Sequence, residues 1–338
     1  MREIARAAAF CLLPVSLCAQ WLSLKTPGIP RTPDGRPNLA AAAPRTSDGK
    51  PDLSGLWAPE SNFYWVDLIH DIKDEGIFTP QARAIFQMRA AEYAVDSPAS
   101  RCLPLGPGDI FFGQYRIMQS STEVALLRAG VSGDTYRQIF MDGRELPKDP
   151  DPTWKGYSVG RWEGDTLVAE TTGFNDTGWL DQMGHPRSEK LRVTERFLRV
   201  DFGHVQFQIT FDDPQTFTKP FTLQLIMNYV PDTDVLEFVC NENERDRAHF
   251  VAGKPTSRIQ LTPADLPKYT GTYEPGDTVI SLINDQLYLW DIPIFPQTAT
   301  RFDSRLAQIE VSLDSSGAVM GLTMVGAVGD EFKFVRKR

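Results

Sequence analysis

Apolar and polar residues alternate in a series of short runs between about Tyr115 and Glu242, and turn signals separate these runs. Because successive side chains point to opposite faces of a strand, a period of two predicts β-strands with one buried face. Asp142-Gly143 and Gly164-Asp165 are typical of hairpin turns. The runs do not alternate with helical patterns, as they would in an α/β fold. The pattern predicts an all-β fold, either an antiparallel calycin- or lipocalin-like barrel or a sandwich.

One run, from His204 to Phe211, can be assigned face by face. Its odd-numbered positions are apolar and must be buried, whereas its even-numbered positions are polar. The polar face is either ordinary solvent-facing surface or the lining of a wet cavity, where a few polar groups would orient a ligand. The residues of this face are His204, Gln206, Gln208 and Thr210. Gln206 and Gln208 are therefore candidate ligand-binding residues.

The preceding run carries a carboxylate on its apolar face. Within Leu191–Arg199, Glu195 falls on the same side as the apolar positions. A carboxylate in such a place needs a partner, or desolvation raises its pKa. Glu195 is thus either a candidate catalytic group or half of an ion pair with Arg192 or Arg196 at the rim of the barrel.

Residues 1–19 are typical of an export signal. Arg2 and Arg6 form a basic start, an apolar run follows, and Ala19 is a small residue at the expected cleavage point. The run is too short to span a bilayer, which takes roughly 20 apolar residues, so no transmembrane segment is predicted. A lipoprotein with its lipid on Cys18 is the alternative, which the bulky Leu17 disfavours. We expect the protein in the periplasm or outside the cell.

Cleavage after Ala19 would leave two cysteines, Cys102 and Cys240, in a compartment where disulfides persist. We expect them to pair. The alternative is two separate buried thiols, because two cysteines in a chain of this length do not make a disulfide framework.

Charge and motif content narrow the classes of partner. The cleaved chain would carry 33 basic and 43 acidic residues, a net charge of −10. This acidity argues against a nucleic-acid partner, which needs a basic surface. The chain has no zinc-ligand spacing and no phosphate-binding glycine motif, so we predict no metal and no cofactor. A small-molecule ligand is the expected partner, and the pattern says nothing about oligomeric state.

The segment at 20–58 is rich in Pro and Gly and contains a repeat. PRTPDGRPNLAA at 30–41 returns as PRTSDGKPDLSG at 44–55. Each copy combines Pro with Asp-Gly, which favours turns joined by extended chain. The segment is either an extended arm that lies on the domain or a flexible tether.

The chain after the arm divides into two units. Thr79 and Pro80 start the one convincing helix, in which Gln81–Ala94 are mostly strong helix formers. We place this helix in a main barrel domain at 59–260. Residues 262–338 form a smaller all-β unit, in which Asn284-Asp285 is a hairpin turn.

Several motifs have distinctive sequences: GYSVGRWEGDTLV at 156–168, ETTGFND at 170–176, His185-Pro186 and LRVTER at 191–196. In these motifs the chain resembles a family of uncharacterised secreted bacterial proteins. The resemblance extends from the PDLSGLW segment at 51–57 to Asn243. It implies a secreted protein, but it brings no established reaction or catalytic residue.

The C-terminal unit has its own motifs, LPKYTGTY at 266–273, QLYL at 286–289 and EFKFVR at 331–336. These are similar to the small β-rich domain appended to serine-hydrolase-like, β-lactamase-related secreted proteins. The resemblance implies an accessory role. A serine mechanism does not come with it, because the chain has neither GxSxG nor SxxK.

The stretch 173–189, GFNDTGWLDQMGHPRSE, has neither strand nor helix periodicity. A loop longer than roughly 12–15 residues in a compact domain is usually a lid, a binding loop or disorder. We expect this loop to cover the mouth of the barrel, with His185 and Trp179 directed toward the face that carries His204. Its polar and aromatic residues are Asn175, Asp176, Trp179, Asp181, His185 and Arg187.

Two histidines are candidates for acid–base chemistry, since an unperturbed imidazole titrates near neutral pH. His185 is either such a group or a loop histidine bonded to a carbonyl. His204 is either oriented by Asp201, or the two residues cap a tight turn. His70 and His249 are interpreted as structural.

Tyr157 and Arg161 would share a face of their strand. Together they either stabilise a developing oxyanion or form a surface pair. A metal held by histidines with Glu195 or Asp181 has no supporting spacing such as HExxH.

The function expected from these patterns is an exported barrel protein that binds a small organic or sugar-like molecule in a polar-lined pocket. Acid–base chemistry of a lyase, isomerase or hydrolase would use His185, His204 and Glu195 with Tyr157 or Arg161. The alternative is a non-catalytic calycin-like carrier. Its ligand contacts would include Trp162, Trp179, Asn175 and Asp181.

Overall fold

The computed structural model describes residues 25–72, 76–92, 94, 96–128, 135–237, 239–240, 259–276, 278–290, 292–304, 307–326 and 331–337. The predicted export signal at 1–19 and His249 lie outside the described residues. Within them, no helix is both long and apolar enough to cross a lipid bilayer.

The described residues contain two nine-stranded sheets, which confirms the predicted all-β class. The first is a closed barrel in which each strand pairs with the next along the chain and the last pairs with the first. Its strands are β1 (Gly55–Pro59), β2 (Tyr115–Gln119), β3 (Glu123–Arg128), β4 (Thr135–Phe140), β5 (Tyr157–Glu163), β6 (Thr166–Thr172), β7 (Arg192–Arg199), β8 (His204–Asp212) and β9 (Phe221–Tyr229).

The barrel departs from the predicted antiparallel order at one place. β4 and β5 run parallel, with Ile139 opposite Ser158. A parallel pair needs a crossover connection, so Asp142-Gly143 starts a long loop and the predicted hairpin there is wrong. Gly164-Asp165 does join two antiparallel strands, since Glu163 pairs with Thr166.

The barrel is filled by side chains. In β8 the apolar residues Val205, Phe207, Ile209 and Phe211 are all buried in one hydrophobic core. Gln206 is exposed and Gln208 is half-buried on the opposite face. The polar face of β8 is therefore on the outside of the barrel, where Gln206 and Gln208 line a polar groove of about 440 Å³ together with Gln224 and Arg196.

The repeated arm folds as two copies of the same turn. In the first copy Thr32 N donates to Arg36 O, and in the second Thr46 N donates to Lys50 O, both over 2.9 Å. The equal sequences thus give equal local structures, because the same Asp-Gly turn closes each copy.

Each copy is attached to the barrel by its arginine. Arg31 Nη2 lies 2.5 Å from Asp232 Oδ1, just after β9, and Arg45 Nη2 lies 2.6 Å from Asp165 Oδ2, in the β5–β6 turn. The Pro- and Gly-rich segment is therefore an extended arm that lies on the domain and not a flexible tether.

Two α-helices connect β1 to β2: α1 (Phe63–Val66) and α2 (Pro80–Ala91). The hydroxyl of Thr79 accepts from Ala82 N at 3.2 Å, as the sequence predicts for the start of α2. Phe86 of α2 is buried and packs with Met183 and with Ile292 of the second sheet.

The second sheet has a hydrophobic core of its own, with Tyr273 and Phe302 completely buried. The predicted turn at Asn284-Asp285 joins its second and third strands, and both residues have positive φ. The strands are β10 (Gly271–Glu274), β11 (Thr278–Ile283), β12 (Gln286–Leu289), β13 (Ile292–Pro293), β14 (Phe295–Pro296), β15 (Arg301–Asp303), β16 (Ala307–Leu313), β17 (Val319–Gly326) and β18 (Glu331–Arg336). Their order in the sheet is β13-β12-β11-β10-β18-β17-β16-β15-β14.

Candidate functional site

The loop at 173–189 packs against one end of the barrel. Trp179 N donates to Leu105 O over 3.1 Å. Gly108 lies so close to the loop that a Cβ there would be 2.0 Å from Leu180 O, and glycine alone has no Cβ. The loop is therefore held on the turn around Gly108.

Asp181 and His185 form a buried pair within this loop. Asp181 Oδ2 lies 2.5 Å from His185 Nδ1, and both side chains are almost fully enclosed. The carboxylate also accepts from Leu68 N (2.8 Å), Gly184 N (3.1 Å) and His185 N (3.2 Å). Three backbone N–H groups already donate to the Asp181 carboxylate, so it is assigned as the acceptor from the imidazole, with the proton on Nδ1.

The imidazole of His185 borders a cleft between the barrel and the second sheet. Phe78 and Phe86 stack on the ring with centroids 4.9 Å and 4.3 Å away. The cleft has a volume of about 320 Å³, and Trp290 and Ile292 of the second sheet form part of its wall. Small-molecule sites typically measure about 300–1,000 Å³. A histidine oriented by a carboxylate thus reaches a space of ligand size.

Asp67 also lies in the wall of this cleft, as do His70 and Asp71. Burial raises the pKa of Asp67 most, the neighbouring imidazole of His185 lowers it, and the charge of Asp181 raises it. One ligand-type atom from each of Asp67, Asp181 and His185 lies within 4.8 Å of the others, a set that can hold a metal ion. N–H groups already donate to the oxygens of Asp181. In this structure the Asp181 carboxylate therefore orients the imidazole of His185.

His204 does not join this cluster. It is the first residue of β8, half-exposed, with Nδ1 2.7 Å from Asp201 Oδ1. Asp201 also accepts from Gly203 N at 2.9 Å, so the pair closes the turn between β7 and β8. The expected convergence of His185 with His204 is wrong, because the polar face of β8 points away from the barrel interior while His185 packs against α2.

Glu195 lies inside the barrel, as its position in the alternation indicates, and is almost completely buried. Its partner is Arg137 of β4, whose Nη1 donates to Oε1 at 2.8 Å and whose Nη2 donates to Oε2. Arg137 also donates to Ser158 Oγ (3.0 Å) and Thr171 Oγ1 (2.8 Å). Glu195 is therefore bound to a cation in the barrel wall, apart from His185.

The arginines considered as partners of Glu195 face outward. Arg192 pairs with Glu170 at 3.2 Å and Arg196 with Glu163 at 2.9 Å. Arg161 pairs with the same two carboxylates and is more than half exposed. Arg161 thus belongs to a surface ion-pair network, and the expectation that it stabilises an oxyanion is wrong.

Tyr157 and Trp162 also lie away from the cleft. The hydroxyl of Tyr157 accepts from Arg144 Nη1 at 2.9 Å, and its ring packs on Phe140. Trp162 is partly buried against the barrel core, with Lys50 Nζ 5.9 Å from its ring centroid. Both side chains have structural neighbours, and neither lines the cleft at His185.

The remaining ligand candidates of the loop hold its shape. Trp179 is buried, and the guanidinium of Arg89 lies 4.5 Å from its ring centroid. Asn175 Oδ1 accepts from Gly178 N (3.2 Å) and from Arg187 Nη2 (3.0 Å). Of the loop residues proposed to bind a ligand, only Asp181 lies beside the cleft, where it acts through His185.

Cys102 and Cys240 form a disulfide in the structure, with sulfur atoms 2.10 Å apart. The bridge joins residues 138 positions apart. It ties the turn before the Gly108 segment to the chain that leaves the barrel after β9.

Two residues of these clusters were missed in the sequence: Asp67 and Arg137. Arg137 shares a strand face with the buried Ile139, so the alternation that placed Glu195 inside would have placed Arg137 there too. Asp67 lies at the end of a short helix, where no period identifies the direction of a side chain.

No protein-family model matches the sequence, and no curated protein is significantly similar to it.

Proposed function

We propose that the protein is an exported acid–base enzyme that binds a small organic or sugar-like molecule in the cleft beside His185. The single observation that carries the proposal is the Asp181–His185 pair, joined over 2.5 Å, whose histidine lines a cleft of about 320 Å³. A buried imidazole oriented by a carboxylate at a ligand-sized space is typical of general base catalysis.

His185 and Asp67 divide the work. The imidazole of His185, oriented by Asp181, takes a proton from the substrate. Burial raises the pKa of Asp67, so this carboxyl keeps its proton to higher pH and supplies it to a leaving oxygen. Removal of one proton and delivery of another suits elimination or isomerisation.

The alternative of a calycin-like carrier is less well supported. A carrier holds its ligand along the barrel axis, whereas in the described part of this barrel the interior is filled by a core that includes Trp57, Phe197 and Phe207. A ligand would have to displace these side chains. The cleft outside the barrel needs no such rearrangement.

A matched pair of histidine variants tests the proposal. A panel of sugar acids, lactones and hydroxy acids is screened for turnover with the wild-type protein, His185→Gln and His204→Gln. His204 also has an aspartate partner but lies outside the cleft, so it is the control. We expect His185→Gln to lower turnover by about 100-fold or more and His204→Gln to leave it unchanged. Equal turnover of wild type and His185→Gln would show that His185 is not the base.

A further inference from the structure

The cleft beside His185 takes its walls from both sheets of the protein. On the barrel side, His70 and Asp71 line it, and both side chains are exposed. On the other side, Trp290 lines it from the turn between β12 and β13. His185, in contrast, is almost completely buried. The three exposed residues therefore lie at the entrance of the cleft, and His185 lies at its inner end.

Trp290 has a backbone conformation that does not suit a tryptophan. Its φ is 55°, in the left-handed region, which a residue with a bulky side chain adopts only at a cost in energy. At the turn between β11 and β12, the positive φ values belong to Asn284 and Asp285, short polar residues that tolerate them. The bond from Trp290 N to Val279 O, 2.8 Å long, uses only the backbone. The turn itself therefore does not explain why its first residue is a tryptophan.

Packing in the core of the second sheet does not explain it either. Trp290 is 38% exposed, whereas the core aromatics Tyr273 and Phe302 are completely buried. Strained backbone positions are concentrated at functional sites, where the strained residue has a use beyond folding. Trp290 combines such strain with exposure and with a place in the wall of a ligand-sized cleft. Contact with a ligand is the use that accounts for all three.

The chemistry at the entrance of the cleft indicates the class of ligand. A flat indole packs against apolar C–H groups, and a carboxylate accepts hydrogen bonds from hydroxyls. Asp71 already accepts from Tyr64 Oη, and a carboxylate has about four lone-pair positions, so it can accept from further hydroxyls. A purely hydrocarbon ligand would take water from Asp71 without offering a donor in return. The indole and the carboxylate together suit a ring with C–H groups on its faces and hydroxyls around its edge.

We propose that the second sheet takes part in substrate recognition and that the substrate of the cleft is a pyranose sugar. The sugar ring stacks on Trp290, and its hydroxyls donate to Asp71. This inference rests on the function proposed above and names its substrate class. It also gives the C-terminal unit a direct role, because the cleft lacks its aromatic wall without Trp290.

Titration calorimetry of the full-length protein tests the sugar site. The probe is methyl β-D-glucopyranoside, and cyclohexylmethanol is its match without ring hydroxyls. We expect the glucoside to bind at least about tenfold more tightly, because a site that accepts hydroxyls loses its hydrogen bonds with the analogue. Asp71→Asn should reduce this preference by about threefold or more, since hydrogen bonds to a charged group are roughly twice as strong as neutral ones.

Trp290→Asn separates a binding role from a structural one. Asparagine tolerates positive φ, so the variant should unfold at a temperature no lower than wild type. Its affinity for the glucoside should fall by about tenfold, because the aromatic face is gone. Phe332→Asn is the matched control, at an exposed aromatic residue of the same sheet that does not line the cleft. It should bind the glucoside like wild type.

Three results would overturn the inference: wild type binds the glucoside no better than cyclohexylmethanol, Asp71→Asn keeps the full preference, or Trp290→Asn binds the glucoside like wild type. A clearly lower unfolding temperature of Trp290→Asn would also overturn it, because the tryptophan would then be structural. The turnover of His185→Gln tests the catalytic base separately. Lost turnover in that variant without glucoside binding to wild type contradicts only the sugar site, and the converse contradicts only the proposed base.

Discussion

Two buried carboxylates of this protein have very different surroundings. Glu195 is held by Arg137 inside the barrel wall, where further hydrogen bonds to Ser158 and Thr171 complete the network. Asp181 is held equally firmly, but its partner His185 borders an open cleft. Burial of a carboxylate therefore does not distinguish a structural pair from a reactive one. The distinction comes from what space the partner side chain can reach.

Removal of Glu195 should have the largest effect on stability. Glu195→Ala leaves the guanidinium of Arg137 buried without its carboxylate, and breaking a buried pair from one side costs about 3–5 kcal/mol. The free energy of unfolding from urea titration measures this. A loss below about 1 kcal/mol would mean that water or another group replaces the carboxylate, and that the barrel interior is less closed than the structure has it.

The corresponding change at the cleft should act mainly on chemistry. Asp181→Asn offers its amide to His185 and favours the tautomer with the proton on Nε2, which cannot act as a base. We expect turnover to fall by about 100-fold, equivalent to about 2.7 kcal/mol in the barrier. Unfolding measured on the same sample is the control. If turnover falls no more than the folded fraction does, Asp181 has only a structural role.

The pH dependence of stability should differ in sign between Asp67 at the cleft and Asp109 at the barrel end. The pKa of Asp67 is raised from its ordinary 3.8, chiefly by burial. The stabilising contribution of a raised carboxyl is complete below pH 3.8 and is lost as pH rises through the folded-state pKa. Asp67→Asn should therefore become more stable relative to wild type as pH increases.

Asp109 shows the opposite case. Burial alone would raise its pKa, but the charges of Lys155 and Arg128 outweigh burial and hold the pKa below 3.8. Its contribution is present above pH 3.8 and is lost as pH falls. Asp109→Asn should thus be most destabilising near neutral pH and least in acid. Unfolding titrations from pH 3 to pH 7 check both variants, and parallel curves for the two would contradict the assignment.

The surface pairs should matter least. Arg161 is more than half exposed beside Glu163 and Glu170, and exposed pairs of this kind contribute little because water screens them. Arg161→Ala should leave both the free energy of unfolding and turnover unchanged within error. A clear loss of turnover would restore Arg161 as a candidate for the site.

The sequence predicted which face of a strand a side chain occupies better than it predicted which side chain from another strand would be its partner. Alternation placed Glu195 on the buried face of its strand and Gln206 on the face opposite the buried one, because direction follows from a local period of two. The choice of Arg137 over Arg192 and Arg196 depends on which strands are neighbours. That information is carried by the whole barrel and not by either strand.

The candidate site was predictable only in part. The length and composition of the 173–189 loop indicated His185 and Asp181, but the groups that complete the cleft come from distant segments. Asp67 lies more than a hundred positions away, and Trp290 belongs to the second sheet. Contacts of this separation leave no periodic signal.

The repeated arm has a consequence for how the N-terminal chain stays on the barrel. Arg31 and Arg45 form ion pairs with two different aspartates of the barrel, Asp232 and Asp165. The linker between the two turns is only a few residues long. When one of the two ion pairs breaks, the other holds the arm on the barrel. The freed arginine therefore stays at a high effective concentration near its aspartate, and the ion pair forms again. Single replacement of either arginine should leave the arm protected from protease, whereas the double replacement should release it: the duplicated sequence makes the attachment bivalent.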